Sequence, residues 1–392
     1  MKANPSPRLT LDSPEPFHIF HKGRKEALAS SPSPSSSRGE SWGGGEGNPH
    51  AAQIHPPIAV IGAGSWGTTL AHLLADKGKD VRLWVREAEV LADLDRDRIN
   101  HTFLPGVRLS PRLTFTREFP EALKGAGLIL MVVPSHGFRQ SLRDLLPHCP
   151  PGAVLLSATK GMEVDSLLTM EGVVREEMGA EIPYAVLAGP SFAREVAQKQ
   201  PTAVTVASRQ REIAHSIQRI FSAPHFRVYT SHDITGVELG GALKNIFAIG
   251  TGILSGMRLG DNPRAALITR ALAEMVRLGA RLGANPMTLT GLAGLGDLIL
   301  TCTSSQSRNF QVGVKLGQGI PLDQILTGMA MVAEGVKTSR AVHLLGARLG
   351  VEMPIVTATY KILYENLAPK EAIKKLMARE LKDEMEAMTE TW

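Results

Sequence analysis

The 392-residue chain has only two cysteines, Cys149 and Cys302, far apart in sequence. Two thiols so placed exclude a disulfide framework and a four-cysteine zinc site, and they fit a reducing compartment. Aromatic residues make up 5% of the chain, few of them are interleaved with charge, and no Lys/Arg block runs along the sequence. Without a basic stripe and stacking rings, no nucleic-acid partner is expected. No metal is expected either. No apolar run reads as long enough for a membrane span. A formal charge of +5 is mildly basic and suits anionic small molecules.

Residues 1–57 differ from the rest. They are rich in Ser, Pro and Gly, with SSPSPSSSRGE from Ser30 and WGGGEG from Trp42. Such a leader cannot bury a core and is expected to be disordered. It has no apolar region of the secretory kind. Its Ser, Arg and Lys resemble a transit peptide, but Asp12, Glu15, Glu26, Glu40 and Glu46 do not, because transit peptides are poor in acid. A start codon assigned upstream of the true one is the other reading. The expected compartment is the cytoplasm, or a plastid if the leader is a transit peptide.

What the chain does have is one glycine-rich stretch around which it is organised, IAVIGAGSWGTTLA at 58–71. A β-branched run reads as a buried parallel strand. Gly62, Gly64 and Gly67 follow in the spacing Gly-x-Gly-x-x-Gly, and Leu70, Leu73 and Leu74 then mark one face of a helix. Gly62 permits the tight turn, Gly64 lets a pyrophosphate approach the backbone, and Gly67 lets the helix pack on the strand. The helix start offers N–H groups and a positive dipole end to the phosphates. Strand before and helix after turn a weak motif into a strong one.

Cofactor choice is read downstream. After the strand VRLWV at 81–85 stands Arg86, with Glu87 behind it. An NAD-selective site places an acid near this position to hold the ribose 2′-hydroxyl. An arginine pairs instead with a 2′-phosphate, so NADPH is favoured over NADH. Glu87 reaching the ribose, and Arg86 as a solvated surface residue, are the alternatives.

Further strands are expected at 128–134, 153–159, 184–188, 202–208 and 226–230. The turn at Ser135-His136-Gly137 faces the cofactor in such a fold, and His136 is either an acid–base group or structural. Lys160, at the carboxyl edge of the sheet, points toward the binding crevice or into solvent. Gly189-Pro190-Ser191 leads into a helix start able to bind an anion or a cofactor amide, with Ser191 as its N-cap. Phe103 and Pro105 either flank the cofactor or pack a loop.

From about Thr230 the pattern becomes helical. A buried helix at 237–253 carries Lys244 and Asn245 among small residues. A lysine there is costly to bury unless paired or neutral, and a lowered pKa suits it to general-base work. Glu238 is six residues away, the wrong helical spacing for a partner, whereas Asp297, in the run GLAGLGDL, is the natural candidate. Ser307-Arg308-Asn309 at a helix start reads as a phosphate site or as a capped helix with a surface arginine. Cys302 lacks an evident base and reads as a packed thiol. Val332 and Glu334 stand at a turn into a helix.

These residues together resemble the NAD(P)-dependent glycerol-3-phosphate dehydrogenase family over about residues 58–378. The resemblance rests on GAGSWGTTLA, VPSHGFR, ATKGME, LAGPSFA, GVELGGALKN, GLAGLGDL, SRNFQVG and VAEGVKT, in that order. It implies an α/β fold: a doubly wound Rossmann-type domain at 58–232, then an all-helical substrate and catalytic domain at 233–392. It implies interconversion of sn-glycerol 3-phosphate and dihydroxyacetone phosphate with NADP or NAD, supply of glycerol 3-phosphate for phospholipid synthesis, and a homodimer. By the same resemblance Ser65, Trp66, Arg86, Phe103, Ala193, Val332 and Glu334 are cofactor contacts, and Lys160 touches cofactor and substrate. Gly189, Ser191, Asp297, Ser307, Arg308 and Asn309 form the substrate site, Arg308 also lies near the cofactor, and Lys244 is the proton acceptor. A related dehydrogenase of a sugar acid or hydroxy acid is the alternative, and a non-catalytic NADP-binding sensor is the alternative from another class.

Overall fold

The structure, a computed structural model, describes residues 54–329 and 333–384. Most of the leader therefore lies outside the described residues. Eight short strands build one sheet: β1 (Ile58–Ile61), β2 (Val81–Trp84), β3 (Leu113–Thr116), β4 (Leu128–Met131), β5 (Val154–Ser157), β6 (Tyr184–Ala188), β7 (Thr202–Ala207) and β8 (Phe226–Ser231). Their order is β3-β2-β1-β4-β5-β6-β7-β8. Every pair is parallel except β6 with β7. The order reverses between β1 and β4, which opens a crevice at their carboxyl ends.

The apolar runs of β1 and β4 are continuous because both faces of the sheet are covered. Ile58 and Val60 join one core with Leu128 and Leu130, while Ala59 and Ile61 join the opposite core with Ile129 and Met131. Residues 54–57 already touch this body: Ile54 packs against the first core, and the Gly127 N–H donates to the Pro57 carbonyl. The edge strand β3 is not expected from the sequence. Four residues after Pro111, with one exposed and one half-buried position, carry too little pattern to stand out.

Beyond Ser231 the described residues hold helices only. The helix Ile234–Gly256 is three residues longer at each end than its sequence pattern suggests, and 20 of its 23 residues are buried. By length and composition alone it could cross a bilayer, which corrects the expectation that no run is long enough. Its whole apolar window is buried inside the protein. The helix Asp261–Arg281, Asp297–Thr303, Arg308–Gly317 and Glu334–Leu349 surround it.

Two glycines, one on each helix, set a close contact between Ile234–Gly256 and Arg308–Gly317. A Cβ on Gly252 would stand 2.1 Å from the Phe310 carbonyl oxygen, and one on Gly313 would stand 2.1 Å from that of Ile249. Only bare backbone lets the helix Arg308–Gly317 lie this close, and that approach carries Arg308 and Asn309 to the level of Lys244.

Candidate active site

The carboxyl ends of β1, β2, β4, β5 and β6 converge on a cleft of about 390 Å³, which the central helix and the loop before Arg308 close from the other side. Gly62, Gly64, Ser65, Trp66, Arg86, Phe103, Lys160, Ser191, Ala193, Lys244, Ser307, Arg308, Asn309 and Glu334 all line it. Gly67, Gly189 and Asp297 stand behind the wall. Val332 lies outside the described residues.

The glycine turn shapes one end. Gly62 has φ +114°, and a Cβ there would meet the Val132 carbonyl oxygen at 2.6 Å. A Cβ on Gly67 would fall 1.9 Å from the Gly62 carbonyl oxygen, so the helix Ser65–Asp76 rests directly on the turn. Around a Cβ on Gly64, by contrast, none of the described residues stands within 4 Å. Gly64 is the helix N-cap and has no side chain to close it. The indole N–H of Trp66, beside this space, is buried and has no hydrogen-bond partner among the described residues. A cradle of this shape, with a helix start facing open space, fits a dinucleotide pyrophosphate.

Asp297 organises the other end. It is 0% exposed and takes both lysines: Lys160 Nζ lies 2.7 Å from Oδ2, and Lys244 Nζ lies 2.5 Å from Oδ1. Lys160 Nζ also donates to the Gly189 carbonyl at 3.1 Å. The Thr301 hydroxyl, one turn after Asp297, donates to its carbonyl oxygen at 2.6 Å. Asp297 follows a π-helical turn, Leu292–Gly296. That turn passes so close to the central helix that a Cβ on Gly240 would stand 2.4 Å from the Ala293 carbonyl oxygen. Two lysines on one carboxylate set like-signed groups side by side against a buried acid. Burial, with Lys160 adding to it and Asp297 opposing it, pulls the Lys244 pKa down to about 7. Glu238 takes no part, because its carboxylate accepts from the Tyr184 hydroxyl at 2.6 Å and from the Glu171 N–H.

Ser307 caps the helix Arg308–Gly317, its hydroxyl accepting from the Phe310 N–H at 3.2 Å. Arg308 is the first residue of that helix and lines the cleft with its side chain exposed; partial desolvation there lowers its pKa and Glu334 opposes the shift. The Asn309 amide donates to Asn245 Oδ1 at 2.9 Å and accepts from the Gly335 N–H at 2.9 Å, so one amide N–H remains for the cleft. Glu334 opens its own helix but reaches across to the Ser135 hydroxyl at 2.5 Å. Burial raises its pKa.

One expectation needs correction. Ser191 does not cap the helix Ala193–Ala197; Phe192 holds that position without a side-chain bond. Gly189, at φ +149°, turns the loop so that the Ser191 hydroxyl donates to the Gly189 carbonyl at 3.0 Å instead. Arg86 is 76% exposed and holds Glu87 through Nε and Nη2, at 2.9 and 2.6 Å. Cys302 is buried and its thiol is pushed up to about 12 by that burial, as suits a packed thiol. Asn245, Thr301, Trp84, Phe192 and Gln306 also line the cleft. Of these, Thr301 carried a signal, its four-residue spacing from Asp297.

Known proteins match this arrangement along most of the chain. The family model for the NAD-dependent glycerol-3-phosphate dehydrogenase N-terminus covers residues 57–214, and that for its C-terminus covers residues 233–374. A glycerol-3-phosphate dehydrogenase (NAD(P)+) of Geobacter sulfurreducens is 52% identical over 329 residues, 83% of this chain and 98% of that protein. One from Syntrophobacter fumaroxidans is 50% identical over 332 residues, 84% of this chain and 98% of its own length. The crystal structure of glycerol-3-phosphate dehydrogenase from Coxiella burnetii superposes with a TM-score of 0.80 at 41% identity, covering 82% of this chain and 99% of that one.

Proposed function

This chain belongs to the NAD-dependent glycerol-3-phosphate dehydrogenase family, and we propose that Lys244, Asp297 and Lys160 carry its proton transfer while Arg308 holds the substrate phosphate. The reaction is the interconversion of sn-glycerol 3-phosphate and dihydroxyacetone phosphate. Bound NAD(P) supplies or accepts the hydride at its nicotinamide ring. The observation that carries the assignment is the buried carboxylate shared by two lysines at the cleft wall.

In reduction, the Lys244 ammonium donates a proton to the oxygen that becomes the substrate hydroxyl. In oxidation, the neutral amine takes that proton. A pKa near 7 leaves both forms available at neutral pH. Lys160 lies on the same carboxylate and stabilises negative charge developing on the oxygen, usually a large electrostatic contribution in a dry site. Asp297 fixes both ammonium groups. The Arg308 guanidinium, the N–H groups at the start of its helix, the Ser307 hydroxyl and the free Asn309 N–H converge on a phosphate and hold the carbonyl in place.

The reading includes NADPH as the preferred cofactor, supported by Arg86 at the end of β2. It also includes a homodimer working in the cytoplasm and supplying glycerol 3-phosphate for phospholipid synthesis. The test is loss of the nicotinamide absorbance when dihydroxyacetone phosphate is added with NADPH or with NADH in parallel. Rapid loss with a faster NADPH rate supports the assignment. Loss only with a hydroxy-acid or sugar-acid ketone substrate overturns the substrate, and tight binding without turnover on any of them supports a sensor. Sedimentation at twice the chain mass tests the dimer.

A further inference from the structure

Most ionisable groups in the cleft are already engaged: Lys160 and Lys244 by Asp297, Arg86 by Glu87, Glu334 by Ser135. His136 is not. Its ring lines the cleft and makes no hydrogen bond among the described residues. It occupies the first turn of the helix Ser135–Leu145, which follows β4. Arg86, after β2, lines the same cleft on the far side of the glycine turn. Gly137 and Ser141 extend the wall along that helix, opposite Trp84 and Arg86. The end of β2, where Arg86 stands, is where the adenosine ribose of a dinucleotide belongs.

The charges acting on His136 come from two further elements, and both are positive: Arg86 beyond β2, and Lys337 on the helix Glu334–Leu349. The carboxylates that line the cleft, Glu87 and Glu334, are bound to Arg86 and Ser135. An imidazole set among cations at a helix start, without a carboxylate of its own, lacks an anion.

We propose that His136 is a specificity-determining residue that, as imidazolium, binds the 2′-phosphate of NADP(H) together with Arg86. The proposal rests on the cofactor cleft assigned above. In the free protein, partial desolvation and the two cations lower the histidine pKa and so favour the neutral ring. A phosphate dianion within about 4–6 Å favours the charged form and raises the pKa. NADPH binding then takes up a proton on His136, and NADH binding, which lacks that phosphate, does not.

The experiment is a titration of the full chain with NADPH and with NADH at about pH 6 and about pH 8, using wild-type protein and His136→Gln. Trp66 and Trp84 line the cleft, so quenching of tryptophan fluorescence reports binding without turnover. At the lower pH, the His136→Gln variant should lose about tenfold in NADPH affinity, the size of one lost charge-assisted contact. It should lose little at the higher pH, and NADH affinity should stay unchanged at both. Proton uptake measured calorimetrically in two buffers should accompany NADPH binding to wild type and shrink in the variant. The 2′-phosphate itself titrates near pH 6, and the difference between wild type and variant removes its contribution. Equal pH dependence for the two cofactors would place His136 at the shared pyrophosphate and overturn the proposal. A variant that matches wild type would overturn it as well. Failure of wild type to bind either cofactor would instead overturn the assignment of the cleft.

Discussion

At the scale of single residues, the account turns on Lys244. A Lys244→Met variant removes the proposed proton donor and keeps the apolar stem. Turnover should fall by about 100- to 10,000-fold, the usual span for a general acid–base group, with NADPH affinity little changed. Asp297→Asn tests the partner separately. Asp297 is what holds the Lys244 pKa up against burial and Lys160. Without its charge the pKa falls further, so the alkaline limb of the reduction rate should move to lower pH by about a unit or more; an unmoved limb would remove Asp297 from the mechanism. The sequence made this pair legible because a lysine in a small-residue helix demands a partner and the spacing excluded Glu238. It did not show that Lys160 shares the same carboxylate. That contact joins residues 137 positions apart, and no local pattern records it. The Ser191 cap failed for a related reason: Gly189 at positive φ redirects the loop, and the sequence shows the glycine but not the turn it takes.

At the scale of elements, the helix Arg308–Gly317 must lie almost in backbone contact with Ile234–Gly256 to deliver Arg308. Gly252→Ala puts a methyl 2.1 Å from the Phe310 carbonyl oxygen. Overpacking of this kind costs about 1–3 kcal/mol, against a helix-propensity gain of about 1 kcal/mol for losing a glycine. The variant should be less stable in urea, and its KM for dihydroxyacetone phosphate should rise as Arg308 is pushed off the substrate. A stabilised variant with unchanged KM would contradict the packing argument. The strong strands and the central helix were readable because burial on all sides leaves continuous apolar runs. The edge strand β3 escaped notice because one side of it has no neighbour, and its sequence reflects that.

At the scale of the whole molecule, the sheet, the central helix and the outer helices are tied together by buried carboxylates. Glu238 joins the central helix to Tyr184 on β6 and to the Glu171 N–H. Glu274 accepts from the Ile355 and Val356 N–H groups at 2.6 and 3.2 Å, closing the start of the helix Pro354–Tyr364. Burial raises both carboxyl groups to about 7, from an ordinary 4.5, with their hydrogen bonds opposing the shift. A raised folded-state pKa means stability fully present below about 4.5 and lost as pH climbs through about 7. Burial-lowered histidines such as His72 and His225 act in the opposite sense, so the test is a difference. Relative to wild type, Glu238→Gln should gain in melting temperature as pH rises from about 5 to about 8, and a constant offset would contradict the shift. The two-part plan, strands to Ser231 and helices after it, was visible in the change of hydrophobic period. These buried acids were not, because burial of a carboxylate depends on which helices meet.

The most direct test of the central claim is kcat/KM for dihydroxyacetone phosphate reduction followed across the neutral range. If the Lys244 ammonium is the proton donor, the rate should hold on the acid side of about 7 and fall about tenfold per unit above it. Oxidation of glycerol 3-phosphate should show the opposite limb. A reduction rate that stays flat well above that value would contradict proton donation by Lys244.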